Sequence, residues 1–169
     1  MAIRKIVFVP DEVLRRKAKK VTAFDADFQT LVDDMIETMR DAPGVGLAAP
    51  QVGESLRLVV VEYGEDEEDD APKKLYVLAN PEFIQHSEET EDGIEACLSV
   101  PGLAGEVSRW KRVMLKAQNR RGQLVKIKAA GWLARVFQHE IDHLDGIIFT
   151  DRAVKIWQPS PGEVDLLRD

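Results

Sequence analysis

The chain has 169 residues, 44% hydrophobic and 31% charged, with a formal net charge of −7 and a sequence pI near 5.1. That length supports one substantial core, so residues 1–169 are expected to form a single domain. The acidic balance argues against DNA or general nucleic-acid binding through net charge. The lone Cys97 leaves no intramolecular disulfide, and the N-terminal run Ile6-Val7-Phe8-Val9 is too short for a signal peptide or a membrane span, so a reducing, cytoplasmic setting is expected.

In chain order, Asp11 is a plausible N-cap for a short helix over 12–19. Phe28, Leu31, Val32, Met35, Ile36 and Met39 recur at helical spacing and predict an amphipathic helix of about four turns, stopped by Pro43-Gly44. Gly44-Val45-Gly46-Leu47-Ala48-Ala49-Pro50-Gln51 follows. It satisfies a dinucleotide-type GxGxxA pattern, but that pattern needs a strand before it and a helix behind it. Here a helix precedes and Pro50 obstructs a following one, so the segment reads as a connection whose glycines let a backbone approach closely. Leu56 to Glu62 is a valine-rich strand candidate. Glu65 to Asp70 is a run of acids and reads as a solvated loop. Leu75 to Ala79 and Phe83 to Gln85 are strand candidates broken by Pro81. Val107 to Gln118 and Leu124 to Ala129 suggest a long hairpin turning at Arg120-Arg121-Gly122. The charge is uneven: Val107 to His139 contains nine Lys or Arg and no acid. Beyond Thr150 the chain reads as irregular. The expected fold class is α+β, with mainly antiparallel sheets packed around a central helix.

That helix carries His139-Glu140-Ile141-Asp142-His143. Residues four apart lie one turn above each other on one helix face, so both imidazoles can hold one metal ion with a glutamate beside it. At about 100° per residue, Trp132, Val136, His139 and His143 share one stripe. Leu133, Phe137, Ile141 and Leu144 continue the inward arc, while Arg135, Gln138, Asp142 and Asp145 are expected on the outer side. Glu140 falls in the apolar arc, where a carboxylate is costly unless paired or working. Gly146 stands where a helix stop belongs. The plain alternative is a pair of hydrogen-bonded core histidines. Against it stands the placement of all three polar groups on the inward arc.

A catalytic metal takes about three protein ligands and keeps one position open. Downstream, Phe149 occupies the position where one class of metallopeptidase has a third histidine. Glu163, which could serve as another class's glutamate, is cut off by Pro159, Pro161 and Gly162. Upstream, the candidates are His86, read as exposed, and Cys97 in Glu95-Ala96-Cys97-Leu98-Ser99. A lone buried cysteine is usually inert, but beside a two-histidine site lacking a ligand the thiolate is favoured.

Together Gly44–Gln51, Glu95–Ser99 and Gln138–Leu144 resemble the three signature motifs of peptide deformylase, in the family's order, and the likeness runs from about Ile6 to Thr150. The resemblance implies a metal-assisted hydrolase that removes the N-terminal formyl group from formyl-methionine of newly made polypeptides and releases formate. It implies a ferrous ion held by Cys97, His139 and His143, for which zinc, nickel or cobalt can substitute, with Glu140 as the acid/base. It also implies Gln51 and the Leu98 backbone N–H as oxyanion donors, and Arg109 as a support for Glu95. Val45, Gly46, Trp132 and Val136 are candidate walls for the methionine side chain. Two departures stand out. Ala96 occupies a position usually held by glycine, and the tail Trp157–Gly162 cannot form the long C-terminal helix through which better-known members dock on the ribosome. The basic stretch Arg109 to Lys128 is a candidate for transient contact with ribosomal RNA, against the plainer reading of a solvated ribbon. Two competing functions are carried forward: a metallopeptidase cutting internal bonds, and a non-catalytic module that binds metal or peptide.

Overall fold

The computed structural model describes residues 2–64 and 73–160. A five-stranded antiparallel sheet runs in the order β1 (Gly46–Ala48), β2 (Leu58–Tyr63), β3 (Lys74–His86), β6 (Arg112–Gln118) and β7 (Leu124–Ala130). A second antiparallel sheet runs β4 (Thr90–Cys97), β5 (Val100–Trp110) and β8 (Lys155–Trp157). Three helices, α1 (Ala26–Asp41), α2 (Gly131–Leu144) and the short α3 (Phe149–Arg152), complete the described elements, with short 3₁₀ turns at Glu12–Arg15 and Ala49–Val52. The expected α+β class with antiparallel sheets is what the chain adopts.

Strand β2 lies where the larger sheet is covered on both faces, whereas β7 at the far edge alternates exposed with half-buried residues. Val59 and Val61 join Leu133, Phe137, Ile141 and Leu144 of α2, while Leu58 and Val60 join Leu31, Val32, Met35 and Met39 of α1. Alternate residues point to opposite faces of a strand, so a strand covered on both sides reads as a continuous apolar run rather than an alternating one. Helix α1 begins at Asp25, whose side chain accepts from the Phe28 N–H at 3.0 Å. Val100, Val107, Ile148 and Phe149 form a third, smaller cluster where α3 packs on the second sheet.

Several sequence expectations change. The helix over 12–19 contracts to a 3₁₀ turn at Glu12–Arg15, although Asp11 does cap it, accepting from the Val13 N–H. Pro81 does not break the chain into two strands. It sits in a bulge where the β3–β6 register shifts between Ala79 and Glu82, and a bulge tolerates a residue without an N–H. Val107 to Gln118 is not one strand either: β5 ends at Trp110 and β6 starts at Arg112 in the other sheet. The hairpin survives as β6 and β7. The tail is not wholly irregular, since α3 occupies Phe149–Arg152 and β8 Lys155–Trp157. The acidic loop 65–70 and Glu163 lie outside the described residues.

Candidate metal centre and its support

Helix α2 threads between the two sheets, and its ends follow from local chemistry. Gly146, at φ +76°, turns the chain away, and the Ile147 N–H donates back to the Asp142 carbonyl at 3.0 Å. A left-handed residue closing the last turn is the usual glycine stop. Packed from both sides, α2 hides nearly all of its surface, and this corrects the expected outer side. Arg135 and Gln138 are buried. Gln138 donates to the Trp110 carbonyl and accepts from the Trp110 N–H, both at 2.9 Å, serving the backbone where the chain leaves one sheet for the other. Asp142 accepts from Arg109 Nη1 at 2.6 Å and Arg152 Nε at 2.7 Å.

Cys97 comes from the end of β4, where the register against β5 shifts after Ala96. Its sulfur and one ring nitrogen each of His139 and His143 all lie within 4.8 Å of one another, and the sulfur is 3.4 Å from His143 Nε2. His86, the other ligand candidate, sits at the end of β3, exposed and stacked on Trp110 with ring centroids 3.9 Å apart. Phe149 stacks on the His139 ring, with centroids 6.1 Å apart.

Behind the histidine pair lies a closed charge network. Glu95 is buried, and its Oε1 accepts from His139 Nδ1 and Arg109 Nη2, each at 2.8 Å. Its Oε2 accepts from Arg109 Nε at 2.9 Å and Arg135 Nη1 at 2.6 Å. A carboxylate can only accept, so His139 presents its proton to Glu95 and turns Nε2 toward Cys97. Burial alone would raise the Glu95 carboxyl, but hydrogen bonds and charge from Arg109 and His139 hold it well below the usual carboxylate range.

The electrostatics fit a cation. Burial opposes charge on His139, yet its interactions with Cys97 and Glu95 raise it well above an ordinary histidine. Burial, and then the charge on His139, lower His143 well below that value. The donors present, one soft sulfur and two imidazoles, suit a divalent transition metal.

Glu140 stands next to this group, 5% exposed, with Oε1 4.0 Å from His139 Nε2. Its Oε2 is buried with no hydrogen-bond partner among the described residues. Burial, opposed by the His139 charge and reinforced by that of Glu95, pushes its carboxyl up to about 7. Gly46 packs against it: a Cβ there would meet Glu140 Cγ at 2.9 Å. This glycine thus serves a close approach within the protein itself. Gln51 accepts from the Ala48 N–H at 2.9 Å, while its Nε2 donates to Ser99 Oγ at 3.2 Å and faces Cys97 Sγ at 3.5 Å. A cavity of about 210 Å³ opens beside these groups, lined in part by Val45, Gly46, Leu98, Trp132 and Val136. The structure thus gathers every residue singled out for the site from the sequence. Sequence reasoning misplaced Arg135, although its position four residues before His139, one turn away on the same side, was a usable signal.

Antiparallel sheets enclosing a helix that presents two imidazoles and a buried carboxylate to a sulfur at the end of β4 define a metal-dependent hydrolase. Residues 3–158 match the family model described as polypeptide deformylase. The chain is 53% identical over 156 residues to the peptide deformylase of Symbiobacterium thermophilum, covering 92% of this chain and 69% of that relative. It is 50% identical over 158 residues to that of Natranaerobius thermophilus, covering 94% and 97%. Among solved structures it resembles a peptide deformylase from Legionella pneumophila, with TM-score 0.82, 44% identity and 99% and 92% of the two chains covered. It also resembles one from Thermotoga maritima, with TM-score 0.83, 42% identity and 92% and 100% covered. The chain belongs to the polypeptide deformylase family, whose activity is removal of the N-terminal formyl group from newly synthesised polypeptides.

Proposed function

We propose that residues 1–169 work as one catalytic domain in which Cys97, His139 and His143 hold a ferrous ion and Glu140 carries the proton. Zinc, nickel or cobalt can replace the iron. The observation that carries this reading is the buried, unpartnered Glu140 Oε2 beside three converging ligand atoms. A divalent ion in that set supplies Lewis acidity, polarising a carbonyl oxygen and easing the ionisation of water.

The chain's own groups account for the remainder. Glu140, with a carboxyl near neutrality, accepts a proton from the attacking water and passes it to the departing amine nitrogen, so that formate and a free amino terminus result. Gln51 Nε2 and the Leu98 backbone N–H donate to the oxygen that gains charge. Gln51 can exchange its long contact to sulfur for this one while keeping its bond to Ser99. Ligand pockets commonly enclose roughly 300–1,000 Å³. The cavity here, about 210 Å³ in all, is lined at one part by Val45, Gly46, Trp132 and Val136, which offer an unbranched side chain such as methionine a mainly apolar wall.

The compartment is read as cytoplasmic, from the single cysteine and the nascent-chain substrate; no described helix is long and apolar enough to cross a membrane. Contact with ribosomal RNA is read onto the β6–β7 hairpin, where Lys126 and Lys128 are exposed. Salt-insensitive co-sedimentation with ribosomes, unchanged by substitution of both lysines, would remove that contact.

The deciding experiment is formate release from formyl-Met-Ala-Ser by anaerobically prepared, iron-restored protein, beside an unformylated peptide as control. Formate with no internal cleavage is expected. One metal bound per chain with no formate produced would overturn the catalytic assignment in favour of a binding module.

A further inference from the structure

Arg135 lies one turn before His139 on α2 and is only 6% exposed, so its charge is withdrawn from solvent. Its guanidinium instead reaches three acceptors on two strands. Nη1 donates to Glu95 Oε2 at 2.6 Å and to the Val107 carbonyl at 2.8 Å, and Nη2 donates to the Glu91 carbonyl at 2.6 Å. Glu91 and Glu95 belong to β4, the strand that ends in Cys97, and Val107 belongs to β5 beside it. One side chain therefore ties the helix that carries both imidazoles to the strand pair that carries the sulfur.

Two further observations point the same way. The β4 backbone passes directly over the guanidinium at Gly93, where a Cβ would lie 2.7 Å from Arg135 Cζ and 2.8 Å from Nε. Glycine inside a strand is unfavourable and commonly marks such a close approach. Moreover, Arg135 supplies the fourth hydrogen bond that Glu95 receives, on the oxygen opposite the one facing His139. Without it, Glu95 is held by Arg109 alone on that oxygen, and Arg109 is itself drawn toward Asp142 at 2.6 Å.

We propose that Arg135 is a positioning residue for the metal-dependent reaction. It sets the separation of β4 from α2 so that Cys97 and His139 present their ligand atoms to one ion, and it keeps Glu95 aligned on the His139 Nδ1–H. A planar guanidinium can serve three divergent acceptors at once, whereas a lysine ammonium acts as a point charge on a flexible stem. The inference rests on the ligand set proposed above.

The test compares wild type, Arg135→Met, Arg135→Lys and Gly93→Ala, each stripped of metal and titrated with cobalt(II). Cobalt affinity is read by chelator competition, ligand geometry by the thiolate-to-cobalt absorption band, and turnover by kcat and KM for formate release. Arg135→Met is expected to weaken cobalt binding about 10–100-fold, the usual cost of losing support behind a ligand. It should also shift the thiolate band and lower kcat while KM holds. Arg135→Lys should fail to restore the band. Gly93→Ala, which keeps the charge and displaces the guanidinium, should shift the band in the same sense by less. A wild-type band and affinity in Arg135→Met, with only a lower melting temperature, would show the arginine to be structural alone. Should that variant not fold, an unshifted band in Gly93→Ala overturns the proposal instead. A wild type that binds cobalt without any thiolate band refutes the ligand set itself, and the role of Arg135 with it.

Discussion

Replacing Glu95 with glutamine tests how far the centre depends on one buried charge. Glu95 receives four hydrogen bonds from Arg109, Arg135 and His139, and both guanidiniums are themselves buried. A glutamine keeps the shape but removes the charge, and its amide end turns a donor toward donors. Breaking a buried ion pair from one side costs about 3–5 kcal/mol, because the partner charge is left uncompensated. For a chain of this size each 1 kcal/mol moves the melting temperature by about 2–4 °C. Glu95→Gln should therefore melt about 6–20 °C below wild type, measured by calorimetry at pH 7.5 with chelator present so that metal affinity does not enter. The pH dependence carries a sign. The folded-state carboxyl is held below its ordinary value of 4.5, so its contribution is complete above that pH and is lost as pH falls beneath it. Between pH 4.5 and 3.5 the gap between wild type and variant should narrow by about 1 kcal/mol. A gap under about 2 °C at pH 7.5, or one that holds constant on acidification, would refute the reasoning.

Four further outcomes are expected. Glu140→Gln should keep one metal per chain while formate release falls about 10²–10⁴-fold, the usual worth of a positioned acid/base, as read by metal analysis and single-turnover assay. In chelator the same variant should gain stability relative to wild type as pH rises from 4.5 toward 7. Ionising the raised Glu140 carboxyl costs the folded state up to about 3 kcal/mol over that range, a penalty an amide does not meet; parallel denaturation curves at pH 5 and pH 8 check this. Gly146→Ala should destabilise by more than about 1–2 kcal/mol in urea, the left-handed backbone penalty alone. The reason for the excess is that a Cβ there would meet the Arg15 carbonyl oxygen at 2.5 Å while φ is +76°. Removing the metal should cost stability by mass action, about 4 kcal/mol at a thousandfold excess of metal over its dissociation constant, with the far-UV circular dichroism of a folded chain retained.

The parts legible from the amino-acid order were those in which local pattern and burial agree. Helix α1 shows its apolar stripe openly, and β2 declares itself through an unbroken valine run. The two histidines are legible because helix spacing alone brings them together. Strands β4 and β5 were not read in full, and the reason is physical. Gly93, Glu95 and Cys97 alternate along β4, but Gly93 accommodates Arg135, Glu95 anchors two guanidiniums and an imidazole, and Cys97 joins the imidazoles, so no apolar face exists there to signal a strand. Arg135 and Gln138 were misplaced because a charged or polar side chain is normally sent to solvent, whereas a helix clasped by two sheets has little solvent side. Their burial is made tolerable by partners from other elements, Glu95 and the Trp110 backbone, which no local window contains.

Glu95 and its arginines grip the ligand-bearing residues from behind, so the socket is assembled by the polypeptide and not by the ion it accepts. Small zinc modules, by contrast, stay unfolded until their metal arrives. Here folding and loading become separate events. A centre stripped of its metal should then reload without the polypeptide around it having to refold.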